Sequence, residues 1–326
     1  MIESILIEGF IYGIMVLGVF TTFRVLNFAD MTVDGSFPLG SALMVVFLIK
    51  GFPAPLCLLI AFAGGSAAGL VTALIHTRLK VPDLLSGILT MTMLYSVNLR
   101  VMSNRANISL LRVDTLFSRI VAFFEPSIGG LWGFALFCVA SALVIKFLLD
   151  VFFHTDYGLS MGALGANPQL VISQGMNPDI IKISGICLSN GLVAVSGAFT
   201  AMFQGFADVS LGTGIIVSGL ASLMIGELII RSNRVGFQTL RVLAGSVIYR
   251  ALMYLARDYG YHINMTPNDF KLITGALIIC CIVLSKSRFF VPKRRRQKTG
   301  VRAGSPELPP GAKSESFPPA EKGGRL

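Results

Sequence analysis

Acidic and polar residues recur in two short segments that adjoin long apolar runs. They are Asn27, Asp30, Thr32 and Asp34 in the first segment, and Asp208 and Ser210 in the second. A carboxylate at membrane depth is costly and usually marks a solute path, a proton relay or an ion pair. A carboxylate or hydroxyl just before a helix can instead accept hydrogen bonds from the free N–H groups of the first turn. The sequence leaves both interpretations open, so these residues are candidates for lining a translocation path and for capping helices.

Two further charged residues are expected to be neutralised by neighbours. Arg24 lies beside the first segment and, like Asn27, is close enough in sequence to pair with Asp30. Glu227 lies four residues before Arg231, a spacing that places two side chains on one helix face. We expect an ion pair there.

No arrangement typical of an enzyme occurs in the sequence. His76, His154 and His262 are far apart, and none belongs to a His-Glu-x-x-His, Ser-His-Asp or paired-carboxylate pattern. The chain has no Gly-x-x-x-x-Gly-Lys-Ser/Thr phosphate cradle, so it cannot supply an ATPase. The five cysteines fall in apolar runs and match no metal-ligand spacing. We therefore expect no catalytic residues, no metal and no cofactor, and a membrane-embedded enzyme acting on lipid is disfavoured.

The composition excludes an ordinary soluble fold. Of the 326 residues, 54% are apolar and 13% are charged, whereas soluble domains have about a quarter charged residues. A bilayer core needs about 20 apolar residues per helix. Such runs lie near residues 5–23, 36–49, 54–75, 84–101, 129–149, 183–205, 213–230, 240–256 and 270–288. They predict an all-α integral membrane protein with about nine transmembrane helices, of which the short second one, with Pro38, is discontinuous.

Basic residues predict the orientation of these spans, because cytoplasmic loops hold an excess of lysine and arginine. A basic cluster directly follows the last run: Lys293, Arg294, Arg295, Arg296 and Lys298. It predicts a cytoplasmic C-terminus and, counting back nine spans, an N-terminus outside. The loop at residues 102–128 is then outside although it contains Arg105, Arg112 and Arg119. We expect that loop to lie along the membrane interface.

The same cluster divides the chain into two parts. Residues 1–291 are predicted to form the transmembrane domain, and residues 292–326, rich in Pro, Gly, Ser, Lys and Glu, a disordered cytoplasmic tail. The net charge of +10 is concentrated in this tail, because residues 293–326 hold nine Lys and Arg against three Glu. A topology anchor touching anionic lipid accounts for that charge. No nucleic-acid partner is expected.

The two polar segments belong to an internal repeat. Residues 28–33 (Phe-Ala-Asp-Met-Thr-Val) match residues 206–211 (Phe-Ala-Asp-Val-Ser-Leu) at an offset that also aligns Gly13 with Gly191. The predicted spans give the two copies opposite directions across the membrane. Inverted repeats of this kind build many transporters, with the path along the repeat interface and discontinuous helices lining it. The repeat halves are about residues 5–105 and 183–288.

The long loop at residues 153–182 differs from an ordinary polar connection. Its small and turn-forming residues are Gly158, Ala163, Gly165, Asn167, Pro168, Gly175 and Asn177. A short helix with a nearly bare glycine and alanine face allows the groove of another protein to approach closely. We therefore expect this cytoplasmic loop to be a docking element.

Two segments resemble one family of permeases. Residues 156–178 resemble the coupling loop with which permease subunits of binding-protein-dependent ABC importers contact their ATPase. Residues 24–30 (Arg-Val-Leu-Asn-Phe-Ala-Asp) are similar to the Arg-Val-x-Asn-Phe-Ala stretch of the branched-chain amino-acid type, a relative of the ribose-type permeases. The resemblance covers roughly residues 5–290. Residues 30–35 depart from the branched-chain pattern, which commonly has a His or Gly and an aromatic residue, and look more like a branch serving aromatic amino acids.

The resemblance implies a permease subunit that forms the solute path of an ABC importer in the cytoplasmic (inner) membrane. It further implies a homodimer, an ATPase subunit docked inside on the 153–182 loop, and an extracytoplasmic solute-binding protein outside. ATP is then used by the partner subunit. A proton-coupled secondary transporter, in which the carboxylates relay protons, is the alternative, because inverted repeats fit it equally well.

Overall fold

The computed structural model describes residues 2–110, 115–125, 129–229 and 235–262, with the single residues 272, 275, 276, 279 and 283. The α-helices in these ranges, in chain order, are α1 (Ile2–Phe20), α2 (Val33–Ile49), α3 (Ala54–Leu79), α4 (Asp83–Val101), α5 (Leu116–Phe124), α6 (Gly130–His154), α7 (Asp156–Ala166), α8 (Pro168–Ser173), α9 (Pro178–Gln204), α10 (Ile215–Ile229) and α11 (Val235–His262). Two short strands, β1 (Asn107–Ser109) and β2 (Phe206–Asp208), pair antiparallel, with Ile108 opposite Ala207.

The helices confirm a mostly helical, multi-pass membrane protein. Seven of the helical segments are long and apolar enough to cross a membrane, and α2 is a shorter apolar helix of 17 residues. The predicted span at 270–288 falls almost entirely outside the described residues, as does the predicted tail at 292–326. The count of nine spans therefore stays a prediction.

The centre of the bundle is formed by α1 and α9, the two most buried spans. They run antiparallel, because the Ser189 hydroxyl donates to the Gly18 carbonyl (2.7 Å) while Ser196 donates to the Ile11 carbonyl (2.7 Å). α9 also packs against α2 and α3. By contrast, α3, α4 and α6 leave most of their surface exposed, as expected of helices that face lipid or another subunit.

Glycines allow α2 to approach α9 closely. A Cβ added at Gly40 would lie 1.9 Å from the Ala194 carbonyl oxygen, and one added at Gly197 would lie 2.0 Å from the Phe37 carbonyl oxygen. Both obstacles are backbone atoms, so no side-chain rotation relieves them. The α2–α9 crossing therefore depends on the absence of side chains at these two positions.

Each copy of the repeat is a full-length helix followed by an extended segment and a second apolar helix. In the first copy, α1 continues through a π-helical turn (Thr21–Val25), and the chain then runs without regular structure to the turn before α2. In the second copy, α9 ends at Gly205 (φ +76°), and β2 and a 3₁₀ turn (Val209–Gly212) lead into α10. Both copies thus interrupt the helical path at the Phe-Ala-Asp sequence.

Ion pairs join the helix ends at both ends of the bundle. At one end Glu8 accepts from Arg250 (3.3 Å) and from the Tyr254 hydroxyl (3.1 Å), which ties α1 to α11. At the other end Glu227 pairs with Arg24 (2.9 Å) and Arg241 (3.2 Å). Arg24 therefore contacts Glu227. The pairing of Arg24 with Asp30 that the sequence suggested is not formed. Arg231, the other expected partner of Glu227, lies outside the described residues.

Candidate functional site

The starts of α2 and α10, the second helices of the two repeat copies, meet, and Asp34 joins them. We call these two short helices the half-helices and their contact the half-helix junction. Its Oδ2 accepts a hydrogen bond from the Gly214 amide (2.9 Å), and its Oδ1 accepts one from the Ile216 amide (2.9 Å). Gly214 immediately precedes α10 and Ile216 belongs to its first turn, where backbone donors lack helical partners. Asp34 lies in the first turn of α2, so a carboxylate of one repeat caps the half-helix of the other.

Pro38 and Gly212 make this junction tight. Pro38 has no N–H, so it cannot donate the usual helical hydrogen bond to the Asp34 carbonyl. Gly212 lies against that carbonyl: a Cβ added there would be 1.8 Å from the Asp34 oxygen. The discontinuity that the sequence predicted at Pro38 is not formed, because α2 runs unbroken through this residue. Instead, the second repeat reaches the backbone of the first here, at the carbonyl that Pro38 leaves without its helical donor.

A cavity of about 280 Å³ opens beside this junction. Its lining residues are Asp34, Gly35, Pro38, Met91, Thr92, Tyr95, Asn98, Val209 and Thr213. They come from the start of α2, from α4 and from the segment that precedes α10. Of the predicted path residues, Asp34 is the one that lines this cavity.

Asp30 and Thr32 belong to a buried polar network and not to an open path. Both are 0% exposed. Asp30 accepts from the Thr32 amide (2.9 Å) and from the Asn190 side chain (2.7 Å), and Asn190 in turn accepts from the Ser36 hydroxyl (2.7 Å). The Thr32 and Thr72 hydroxyls are hydrogen-bonded at 2.7 Å. The network connects α2, α3 and α9 where they cross.

Asp208 and Ser210 lie together at the β1–β2 end of the bundle. Asp208 Oδ1 accepts from both the amide and the hydroxyl of Ser210, and Oδ2 accepts from the Asn107 side chain (3.2 Å). Partial burial favours a higher pKa for Asp208, but the hydrogen bonds from Ser210 and Asn107 outweigh it and hold that pKa below its usual value. In this structure Asp208 therefore caps the 3₁₀ turn and fastens it to β1.

Asn27 lies apart from the other path candidates. It is exposed and has a left-handed backbone (φ +52°), a conformation that asparagine tolerates better than most residues. The predicted path residues therefore lie in three regions. Asn27 lies at the end of the bundle that carries α7, and Asp208 and Ser210 lie at the β1–β2 end. Asp30, Thr32 and Asp34 lie between them, in the buried network and the half-helix junction.

The predicted coupling loop forms two short helices seated on the end of α1. A Cβ added at Gly165 would lie 2.0 Å from the Val25 carbonyl oxygen, and one added at Gly158 would lie 2.3 Å from the Phe152 carbonyl oxygen. Both glycines therefore face this chain's own backbone. The open small-residue position of α7 is Gly162, where an added Cβ would meet no atom within 4 Å.

The other predicted loop residues set the helix boundaries. Asn167 caps α8 by accepting from the Gln169 amide (3.1 Å), and Asn177 caps α9 by accepting from the Asp179 amide (2.9 Å). Pro168 occupies the first helical position after its cap, where a missing N–H costs nothing. Gly175 has φ +78° in the turn between these helices.

The same loop carries a groove of about 440 Å³ on its outer side. The lining residues are Asp156, Leu159, Ser160, Ala163, Gln174 and Met176. Leu159 is 58% exposed, so the groove combines an exposed apolar edge with polar groups. Such a surface is suited to a protein partner.

Residues 1–282 match the protein family described as branched-chain amino acid transport system, permease component. The chain belongs to this permease family. A tyrosine transport system permease of Clostridioides difficile is 38% identical over 85% of this chain and 89% of its own length. An uncharacterized protein of Rickettsia prowazekii is 30% identical over 81% and 90%, and a galactofuranose transporter permease of Escherichia coli is 21% identical over 83% and 76%. No solved structure matches the chain.

The permease is thus a component of an ABC-type transport system, as its coupling-loop and Arg-Val-x-Asn-Phe-Ala resemblances predicted. Members of such systems leave ATP hydrolysis to a separate subunit. None of the relatives described above is a proton-coupled carrier by its name.

Several polar residues of the permease were not singled out by sequence patterns. Asn190, Asn98 and Ser36 lie inside predicted apolar spans, and two of them contact Asp30 or the start of α2. Their signal was available, because an amide inside a transmembrane helix is costly unless it has a partner. Motif spacing does not find such residues, since their partners are distant in sequence.

Replacing Asp34 with alanine is expected to destabilise the permease. It leaves the Gly214 and Ile216 amides without their acceptor, and loss of such a cap costs about 0.5–2 kcal/mol. Asp34→Asn retains one acceptor oxygen and is expected to have the smaller effect. Thermal unfolding of the purified protein in detergent measures both; equal melting temperatures for Asp34→Ala and the wild type would contradict the capping role.

Proposed function

We propose that two copies of this permease form the solute path of an ABC importer in the cytoplasmic (inner) membrane. An ATPase subunit docks on the α7–α8 end, which is the cytoplasmic side, and a solute-binding protein docks on the β1–β2 end. The observation that carries this proposal is the contact between α7 and the end of α1. A docked ATPase that moves α7 also displaces Val25.

The chain from Val25 leads directly to the half-helix junction. Gly165 abuts the Val25 carbonyl, and a few residues later the same segment supplies Asp30 to the buried network and Asp34 to α10. Displacement of α7 therefore reaches the start of both half-helices without an intervening flexible domain. We propose that this connection switches the path between outward and inward access.

The same arrangement supports the proposed orientation and the proposed repeat. The antiparallel α1 and α9, each followed by a half-helix, support an inverted repeat with halves at about 5–105 and 183–288. Placing α7 inside puts Lys182, Arg78 and Lys80 inside as well, in agreement with the excess of basic residues in cytoplasmic loops. On this orientation the C-terminal tail at 292–326 is cytoplasmic and touches anionic lipid.

The transported solute is proposed to be an aromatic amino acid. Support comes from the tyrosine transport permease of Clostridioides difficile, which shares 38% identity with this chain, and from residues 30–35, which depart from the branched-chain pattern. The galactofuranose transporter permease matches at only 21% identity.

Uptake by the assembled importer tests this assignment. Proteoliposomes containing the permease, its ATPase and its binding protein are supplied with tritiated tyrosine, phenylalanine, tryptophan, leucine or galactose. We expect ATP-dependent accumulation of an aromatic amino acid and little of leucine or galactose. Accumulation of leucine or galactose in preference to all three aromatic amino acids would contradict the proposed solute.

Asp208→Asn distinguishes capping from proton relay. Asparagine retains an oxygen that accepts from Ser210, so capping survives, whereas a proton carrier is removed. We expect uptake to stay within about twofold of the wild type, because a neutral hydrogen bond is worth only about 0.5–1.5 kcal/mol. Complete loss of uptake in a correctly folded Asp208→Asn permease would favour the proton-coupled alternative.

A further inference from the structure

One side chain that lines the cavity beside the half-helix junction is a buried amide, Asn98. Asn98 is 1% exposed, and its Nδ2 donates to the Gly35 carbonyl (3.2 Å). Its Oδ1 has no hydrogen-bond partner among the residues that the structure describes. Burying an unpaired acceptor is unfavourable, so native proteins rarely retain one without a ligand, water or mechanism that uses it.

The other polar groups of the cavity are also acceptors. Thr92 donates its hydroxyl to the Leu89 carbonyl (2.8 Å), and Thr213 donates to the Ser210 carbonyl (2.9 Å), which leaves lone pairs on both oxygens. Asp34 accepts one backbone N–H on each carboxylate oxygen and retains lone pairs on both. The cavity therefore presents several acceptors and the charge of one carboxylate.

The remaining lining is apolar and aromatic. Pro38, Met91 and Val209 supply apolar surface, and Tyr95, which is 54% exposed, supplies a ring that a solute can contact. The volume of about 280 Å³ is at the small end of ligand pockets. It suits one small molecule that carries a donor-rich cationic group and an apolar or aromatic body.

We propose that this cavity is a transit site that binds an α-amino acid through its ammonium group. The ammonium, with three donors and no acceptor, donates to Asn98 Oδ1 and faces the Asp34 carboxylate. The α-carboxylate is directed away from Asp34, toward the open side of the cavity where Tyr95 is 54% exposed, and the side chain lies against the Tyr95 ring and Met91. The hydroxyls of a sugar can also donate to the carboxylate, but they bring no positive charge to neutralise it. This inference rests on the proposed function and adds that the path recognises the solute by its ammonium group.

Binding to the permease–ATPase complex without its binding protein tests the site. The probes are tritiated L-tyrosine and its deaminated analogue 3-(4-hydroxyphenyl)propanoate, measured on the wild type, Asn98→Leu, Tyr95→Ala and the control Ser96→Ala. Ser96 is exposed on α4 and does not line the cavity. We expect the wild type and the control to prefer L-tyrosine by about tenfold, the typical effect of one hydrogen bond to a charged group.

Asn98→Leu is expected to reduce that preference severalfold, because the Asp34 carboxylate still faces the ammonium, and Tyr95→Ala is expected to weaken L-tyrosine binding while retaining the preference. Equal binding of both probes to the wild type, or an unchanged preference in Asn98→Leu, overturns the site. If Asn98→Leu does not fold, the exposed Tyr95 carries the test, and wild-type affinity in Tyr95→Ala overturns the site. If neither substitution changes the ATP-driven uptake of tyrosine, the site is overturned and the proposed function stands. If the wild type shows no ATP-driven uptake of any amino acid, the proposed function is overturned as well.

Discussion

Gly162→Trp is expected to weaken ATPase association at least severalfold without unfolding the permease. Gly162 is exposed on α7, and an added Cβ meets no atom within 4 Å, so the indole has free space in the isolated chain. It would, however, project from the exposed surface of α7, the helix that supplies most of the residues lining the α7–α8 groove, at the end of the bundle proposed to dock the ATPase. A bulky group forced into a packed interface costs about 1–3 kcal/mol, which is about a five- to 150-fold loss of affinity.

Co-purification of the ATPase with affinity-tagged permease measures this effect, and uptake in proteoliposomes follows it. Gly162→Ala is the matched control, because a methyl group in open space leaves the groove accessible. We expect normal ATPase recovery with Gly162→Ala and at least a severalfold loss with Gly162→Trp. Full recovery with the tryptophan variant would remove this face of α7 from the docking surface.

Gly40→Ala is expected to destabilise the α2–α9 crossing strongly. The added Cβ would lie 1.9 Å from the Ala194 carbonyl oxygen, so the two helix backbones must separate. Overpacking of this kind costs about 3 kcal/mol, which corresponds to a fall in melting temperature of about 4 °C for a chain of 326 residues. The readout is thermal unfolding of the purified permease in detergent.

Gly197→Ala should act in the same way, since its added Cβ would lie 2.0 Å from the Phe37 carbonyl oxygen. Gly162→Ala again serves as the control and should leave the melting temperature unchanged or slightly raised, because alanine favours a helix more than glycine does. An unaltered melting temperature in both Gly40→Ala and Gly197→Ala would show that α2 and α9 do not cross this closely.

The sequence predicted the membrane class and the permease family, because apolar run length and short motifs are local properties. It did not predict that Asp34 caps the other repeat's half-helix. That contact joins residues that are 180 and 182 positions apart. Long-range pairing depends on how the helices pack, which the pattern within one span does not determine.

The coupling loop shows the same limit on a smaller scale. Its helix boundaries could be predicted, because the Asn-Pro pairs at 167–168 and 177–178 are typical helix starts. The side of α7 that is exposed could not be predicted from the sequence. Gly158 and Gly165 are small because the chain's own backbone lies against them, whereas Gly162 is the open one, and composition alone does not distinguish these two uses of glycine.

The energy source of transport tests the central claim most directly. Proteoliposomes with the permease, its ATPase and its binding protein are assayed for tritiated tyrosine uptake with and without ATP, and with a protonophore. We predict uptake that requires both ATP and the ATPase subunit and that persists when the proton gradient is collapsed. Uptake that proceeds without the ATPase and stops with the protonophore would contradict the account.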